Sequence, residues 1–137
     1  RAPIPWTAEP GHGWPVEPWL PFAPEADERN VAALCDSPDS ILHLYRSLMA
    51  LRRSTPDLLD GATQLLQPPE DQADDGVITF HRGGLTVALH LGTDPVVLDH
   101  ELEVLIASDG TPPGTRLREL VPGRALVGRR VEAADDA

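Results

Sequence analysis

The spacing of apolar residues changes at Gly61, and this change constrains the fold more than any other feature of the sequence. Before Gly61, the segment "SPDSILHLYRSLMALRR" (37–53) repeats apolar residues at helical spacing. After it, "GVITFHR" (76–82) and "LTVALHLG" (85–92) alternate with a period of two, and two glycines between them signal a hairpin turn. The sequence therefore predicts one long helix followed by an antiparallel β domain.

The ends of the helix are also marked. Ser37 is expected to cap a helix over residues 38–53, because Pro38 suits the first helical position and Ser is a good capping residue. Arg52 and Arg53 fall in the last turn, where the helix dipole favours cations. The segment "PDLLDG" predicts one more turn that stops at Gly61.

Further short strands are predicted on both sides of the hairpin. The segment "ATQLLQ" (62–67) precedes it, and "PVVLDH", "EVLIASD" and "LRELVPGRALVGRR" follow it. Strands spaced by about 8 to 12 residues, with turn signals between them, are typical of a small all-β sandwich. The predicted fold class is therefore α+β, and residues 62–137 are predicted to form the all-β domain.

Residues 1–36 are rich in proline and glycine and show neither period. A long irregular segment of this kind is usually functional or disordered, and Trp6, Trp14 and Trp19 argue against disorder. Aromatic faces stack on sugar rings, and a proline-stiffened loop presents them at low entropic cost. The same tryptophans equally suit a hydrophobic plug between domains, so the residues alone leave both interpretations open.

The charge of the chain excludes several partners. A formal net charge of −11 repels phosphate backbones and anionic lipids, so neither nucleic acid nor a membrane surface is an expected partner. The apolar runs are far shorter than the ~20 residues needed to span a bilayer. Cys35 is the only cysteine, which fits a reducing, cytoplasmic location. We expect Cys35 to be a small buried residue and not a nucleophile.

No metal or cofactor is expected from the sequence. The acidic run of Glu70, Asp71, Asp74 and Asp75 lacks the alternating ligands of a calcium loop and predicts a solvated loop. The five histidines show no zinc-binding spacing. None of these residues identifies a reaction.

The order of short motifs resembles that of α-glucosidase-type members of the α-amylase family. The segment "RAPIPW" (1–6) is similar to their R-[TAV]-P-M-[PQ]-W, and "GHGW" and "PWLP" stand where a Gly-Phe and a W-L-P element follow. Next, "NVAAL" (30–34) and the helix segment are similar to N-V-x-x-Q and D-P-x-S-x-L-x-x-Y-R-x-L-I-x-L-R. The chain departs from the pattern at Ile4, Trp14 and Leu34, which replace Met, Phe and Gln.

The resemblance implies an architecture and a set of site residues. Residues 1–61 would be the C-terminal end of a (β/α)8 barrel, with a rim loop and the last helix, and residues 62–137 would be a C-terminal β-sandwich. Loops at the C-terminal face of such barrels carry the active site. Arg1 and Trp6 are thereby implied as substrate-binding residues, and Trp14 and Trp19 as weaker candidates.

The resemblance assigns no catalytic residue to this chain. A retaining glycosidase needs two carboxyl groups about 5 to 5.5 Å apart, and those of the family lie on earlier strands of the barrel. We therefore expect a C-terminal fragment of an α-glucosidase-like glycoside hydrolase, or of a related transglycosylase or isomerase, that acts on α-linked oligosaccharides or glucosides through its barrel. We expect this part alone to be inactive. The alternative is a non-catalytic carbohydrate-binding or interaction module with the same fold.

Overall fold

The computed structural model describes residues 1–66 and 76–131. The predicted acidic loop from Glu70 to Asp75 lies outside the described residues. The helices are α1 (Val31–Asp36), α2 (Ile41–Ser54) and α3 (Pro56–Asp60). The strands are β1 (Thr63–Leu66), β2 (Val77–Arg82), β3 (Leu85–His90), β4 (Val96–Ala107), β5 (Arg116–Leu120) and β6 (Ala125–Arg130).

The chain divides into two compact units, Arg1–Leu48 and Met49–Ala137, and the division falls within α2. The domain boundary that we place between residues 61 and 62 follows a different criterion, the change from helices to strands. It stays a prediction. Each unit is described by itself below.

Helix α1 was not predicted, because residues 1–36 show no helical period. Its start is fixed by Asn30, whose side-chain oxygen accepts a hydrogen bond from the backbone N–H of Ala33 at 3.0 Å. The Asn30 amide also donates to the carbonyl of Asp27 at 2.9 Å. With only 2% of its surface exposed, Asn30 is buried with both ends of its side chain satisfied. A helix of six residues is too short for a periodic signal, so only the cap could have indicated it.

The cap of α2 is Ser40, and the prediction of Ser37 was wrong. The hydroxyl of Ser40 accepts from the backbone N–H of His43 at 3.4 Å and donates to the carbonyl of Leu34 at 2.6 Å. Ser37 instead ends α1, and its carbonyl accepts from the N–H of Ser40 in a turn that contains Pro38. Proline suits the second position of such a turn as well as the first turn of a helix, so the sequence signal was ambiguous. The helix therefore begins at Ile41.

The predicted α+β class with an antiparallel β domain is confirmed. The six strands within residues 1–66 and 76–131 are antiparallel to their neighbours and form one sheet in the order β1-β2-β3-β6-β4-β5. The predicted hairpin is the β2–β3 pair. The segments "PVVLDH" and "EVLIASD", predicted as separate strands, are joined in the long strand β4, which contains an irregular stretch between Val97 and Leu102.

The core lies on one face of this sheet. Its buried residues come from neighbouring strands, from Ala88 of β3 through Leu126 of β6 and Val104 of β4 to Leu120 of β5. The irregular stretch of β4 loses regular ladder pairing, and Arg118 of β5 compensates by donating to the carbonyls of Leu98 and Asp99 at 2.9 and 3.2 Å.

A cluster around the β2–β3 turn, which we call the Arg82 clasp, joins α3 to the sheet. The guanidinium of Arg82 donates to the carbonyls of Leu58 and Leu59, both at 3.1 Å, and to the hydroxyl of Thr63 at 2.8 Å. The carboxylate of Asp57 accepts from the turn N–H of Gly84 at 2.9 Å. The last carbonyls of a helix have no partner within it, so this arginine satisfies groups that α3 leaves open.

We predict that Arg82→Ala lowers the free energy of unfolding by about 1 to 3 kcal/mol, because it removes three hydrogen bonds made by a charged group. Chemical denaturation measures the change. The exposed Arg116 at the edge of the sheet supplies the control, and Arg116→Ala is expected to change the unfolding free energy by less than about 0.5 kcal/mol. Equal effects of the two substitutions would contradict the role given to Arg82.

Asp109 sits in the turn after β4 and has an altered ionisation. Burial raises the pKa of its carboxyl group, but hydrogen bonds from the hydroxyl and N–H of Thr111 and from Arg124 outweigh burial, so the pKa is lowered from its usual value. The Thr111 hydroxyl donates at 2.7 Å and the Arg124 guanidinium at 2.6 Å. The folded state therefore favours the ionised carboxylate.

A group with a depressed pKa in the folded state adds stability that is present above its unfolded pKa and is lost in acid. We predict that Asp109→Asn destabilises the chain near neutral pH, and that the difference from the wild type shrinks as the pH falls below about 4. Urea denaturation across this range measures it. The exposed Glu119 serves as control: Glu119→Gln should change the unfolding free energy near neutral pH by less than about 0.5 kcal/mol. A difference for Asp109→Asn that is constant with pH would refute the prediction.

Candidate functional site

The tryptophan-rich loop is organised by a tight Gly-His-Gly turn. Gly11, His12 and Gly13 all have positive φ, at 80°, 50° and 77°. Glycine adopts this region without strain, whereas His12 does so at a steric cost. The turn closes with backbone hydrogen bonds from Trp6 N–H to the His12 carbonyl at 2.9 Å and from Trp14 N–H to the Gly11 carbonyl at 3.0 Å. The irregular composition therefore produces a defined local structure.

The ring of His12 links three parts of the loop. Its Nδ1 donates to the carbonyl of Thr7 at 3.0 Å, which assigns the proton to that nitrogen because a carbonyl can only accept. The ring meets Phe22 edge-on at a centroid distance of 4.3 Å. Its Nε2 lies 3.8 Å from a carboxylate oxygen of Asp27. His12 thus holds the start and the end of the loop together.

The loop is also joined to helix α1. The N–H groups of Val31 and Ala32, in the first turn of α1, donate to the carbonyls of Pro5 and Trp6 at 2.9 and 3.0 Å. First-turn N–H groups have no acceptor within a helix, so the loop supplies what the helix lacks. The segment around Trp6 is thereby fixed relative to the buried Asn30.

The four predicted site residues differ in how firmly the structure holds them. Trp14 is the most constrained, because its indole Nε1–H donates to the carbonyl of Ile4 at 2.7 Å and 39% of the residue is exposed. Trp6 is 48% exposed and lies against Gly13. Trp19 is 91% exposed, and Arg1 is exposed at the first residue. The turn therefore brings Trp6 and Trp14 into one neighbourhood, whereas Trp19 projects into solvent.

An open groove of about 470 Å³ lies within the loop between Gly11 and Phe22. Trp14 lines it, together with His12, Glu17 and several prolines, while Arg1, Trp6 and Trp19 do not. Sequence reasoning singled out Trp14 but missed His12. The only signal for His12 was its position between two glycines, which marks a turn without indicating what the imidazole contacts.

Cys35 was expected to be buried, and this was wrong: the thiol is exposed in α1. A helix of six residues at the surface covers little of its own side chains, and none of the residues of α1 is buried. The Sγ atom lies 3.8 Å from a guanidinium nitrogen of Arg46. Across residues 1–66 and 76–131, no group of three or more His, Cys, Asp and Glu side chains is placed to hold a metal ion.

Comparisons with known proteins point to sugar-active enzymes. No family model matches the chain. The palatinase of Erwinia rhapontici is 33% identical over 99 residues, which are 72% of this chain and 18% of the palatinase. The oligo-1,6-glucosidase of Heyndrickxia coagulans is 38% identical over 69 residues, which are 50% of this chain and 12% of that enzyme. The chain thus spans less than a fifth of the length of these curated relatives.

The comparison with solved structures agrees with the sequence comparison. The trehalulose synthase MutB of Pseudomonas mesoacidophila MX-45 matches 94% of this chain with a TM-score of 0.74 and 25% identity, over 25% of its own length. The MutB E254Q mutant, which matches with the same TM-score of 0.74 and 26% identity, is solved in complex with the substrate sucrose. In sequence and in fold the chain is therefore similar to part of several carbohydrate-active enzymes. More narrowly, it is related to the α-glucosidase-type members of the α-amylase family, which confirms the resemblance seen in its motifs.

None of the helices in the described part of the chain is long and apolar enough to cross a membrane.

The close contact between Gly13 and Trp6 leads to a prediction for the loop. A Cβ at Gly13 would lie 3.0 Å from the Cβ of Trp6, whereas one at Gly11 would meet only a carbonyl at 3.8 Å. Both glycines have positive φ, so an alanine at either position carries the left-handed cost of about 1 to 2 kcal/mol. We predict that Gly13→Ala destabilises the chain more than Gly11→Ala and displaces the indole resonance of Trp6 in NMR spectra.

Gly11→Ala is the matched control, because it carries the backbone strain without the contact. An unshifted Trp6 indole in Gly13→Ala, with equal losses of stability in the two variants, would show that Trp6 is not held by the turn.

Proposed function

We propose that this chain is the C-terminal part of an enzyme that acts on α-glucosides. In this proposal residues 1–61 form the end of the catalytic (β/α)8 barrel and residues 62–137 the C-terminal β domain. The observation that carries it is the joint match in sequence and fold to an oligo-1,6-glucosidase, a palatinase and a trehalulose synthase, each covered over a quarter of its length or less.

The exposed apolar face of α2 supports the proposal. Ile41, Tyr45 and Leu48 recur at helical spacing and are all exposed, and α2 buries none of its residues. A helix with an apolar stripe normally packs that stripe against another element. The last helix of a barrel would bury it against neighbouring strands and helices.

The proposed substrate contacts are Arg1, Trp6, Trp14 and Trp19, on the rim of the barrel. The substrate class is an α-linked oligosaccharide or glucoside. An uncharged substrate of this kind is compatible with a chain of net charge −11, which would repel anionic ligands. We also propose a cytoplasmic location, since a single cysteine permits no disulfide within the chain.

The alternative is a non-catalytic carbohydrate-binding or interaction module with the same fold. The observation in its favour is that the resemblance assigns no catalytic carboxylate to these 137 residues. The coding sequence upstream of Arg1 separates the two. A reading frame for a barrel with the nucleophile, the acid/base and the third Asp supports the enzyme, and a frame for a barrel without them supports the module.

We predict that the purified 137-residue chain releases no glucose from maltose or from an aryl α-glucoside, because it cannot supply the two carboxyl groups of a glycosidase. The chain fused to its upstream barrel should release glucose under the same conditions. A glucose-release assay with both proteins measures this. Turnover by the isolated chain, or an inactive fusion that carries all three carboxylates, would contradict the proposed function.

A further inference from the structure

The groove between Gly11 and Phe22 has the dimensions and the wall of a small-molecule site. Its volume of about 470 Å³ lies within the usual range for ligand pockets, about 300 to 1,000 Å³. Pro15, Pro18 and Pro21 form part of the wall. Proline has a fixed φ, so this wall loses little conformational entropy when a ligand orders it.

Trp14 can offer a ligand in this groove apolar contact but no free hydrogen-bond donor. Its single polar atom, Nε1, already donates to the carbonyl of Ile4 at 2.7 Å. That hydrogen bond and the adjacent turn also fix the ring in place. A fixed aromatic face with no free donor selects ligands that have a flat apolar surface.

The polar groups of the wall select against anions. His12 and Glu17 line the groove, and none of the eleven arginines lines it in the described part of the chain. A phosphate group would meet the carboxylate of Glu17 without a cation to pair with it, and the net charge of the chain adds to the repulsion. Hydroxyl groups, by contrast, can donate both to a carboxylate and to the unprotonated Nε2 of an imidazole.

We propose that this groove binds an uncharged pyranose unit of an α-linked oligosaccharide, with the C–H face of the sugar stacked on Trp14 and its hydroxyl groups near His12 and Glu17. The proposal rests on the proposed function and deepens it: Trp14, the weaker candidate by sequence, becomes the platform, and sugar phosphates are rejected.

The test uses the 137-residue chain labelled with 15N, whose three tryptophans each give one indole N–H signal in NMR spectra. Titration with maltose should shift the Trp14 signal with a dissociation constant in the millimolar range. Glucose 6-phosphate, the charged comparison, should shift it at least about tenfold more weakly. No shift of Trp14 by maltose, or equal binding of the phosphate, would overturn the proposal.

Variants distinguish stacking from a general effect on the fold. Trp14→Ala should weaken maltose binding about tenfold or more, whereas Trp14→Phe, which keeps an aromatic face, should restore most of it. Tyr45→Ala, which removes an exposed aromatic ring outside the groove, should leave binding unchanged. If Trp14→Phe loses as much as Trp14→Ala while its spectrum stays folded, stacking is excluded.

The outcomes separate this proposal from the proposed function. Maltose shifts confined to the Trp6 signal would overturn the groove as the site and leave a sugar-binding rim in place. An inactive fusion with its barrel, combined with a shift of Trp14 by maltose, would overturn the enzyme and leave the groove as a binding site of a non-catalytic module.

Discussion

The hydrogen bonds of the Arg82 guanidinium hold helix α3 against the sheet, and the connection between α3 and the sheet depends on them. The chain passes from α3 directly into β1. The last carbonyl groups of α3 have no hydrogen-bond donor within the helix, and β1 needs contacts that fix its first residues. Arg82 meets both needs by binding the carbonyls of Leu58 and Leu59 and the hydroxyl of Thr63. Asp57 completes the arrangement from the other side by accepting from the β2–β3 turn at Gly84. The hairpin and the helix therefore fix each other's position, and β1 and β6 pair with the two strands of that hairpin.

Other segments that lack regular backbone hydrogen bonds are stabilised in the same way. Arg118 binds the carbonyls that the irregular stretch of β4 leaves open, and the carbonyls of Pro5 and Trp6 accept from the open end of α1. Buried or partly buried backbone groups need partners, and a chain rich in proline and glycine forms few of them through regular structure. Side chains with several donors, and loops that pass close to helix ends, then replace the missing ladder bonds. This explains how a loop without periodicity holds Trp14 in one orientation.

The sequence predicted the parts of the fold that repeat and missed the parts that depend on single contacts. Helix α2, the β2–β3 hairpin and the outer strands follow from apolar periodicity, and each is found close to its predicted range. The cap at Ser40 and the short helix α1 do not follow, because Ser37 and Pro38 fit two local structures equally well and six residues are too few to show a period. The long β4 was divided in two because charged residues interrupt its alternation where the strand is irregular. The tryptophans were identified as candidates by residue type, and the resemblance ranked Trp6 above Trp14, a ranking that stays a prediction. The hydrogen bond from Trp14 to Ile4 has no signal in the sequence.

The tryptophan loop and the helix face next to it in sequence differ in what they require from other parts of a protein. The loop closes most of its hydrogen bonds locally, through Asn30, His12, Gly11 and Gly13, although the hydroxyl of Thr7 is buried without a hydrogen-bond partner. Helix α2 is different, because Ile41, Tyr45 and Leu48 remain exposed, and burying each such side chain is worth about 1.5 to 3 kcal/mol. In the two proposals, binding and catalysis are therefore separable. The proposed sugar groove at Trp14 needs only local contacts, whereas the proposed reaction needs the carboxylates of a barrel against which α2 is proposed to pack.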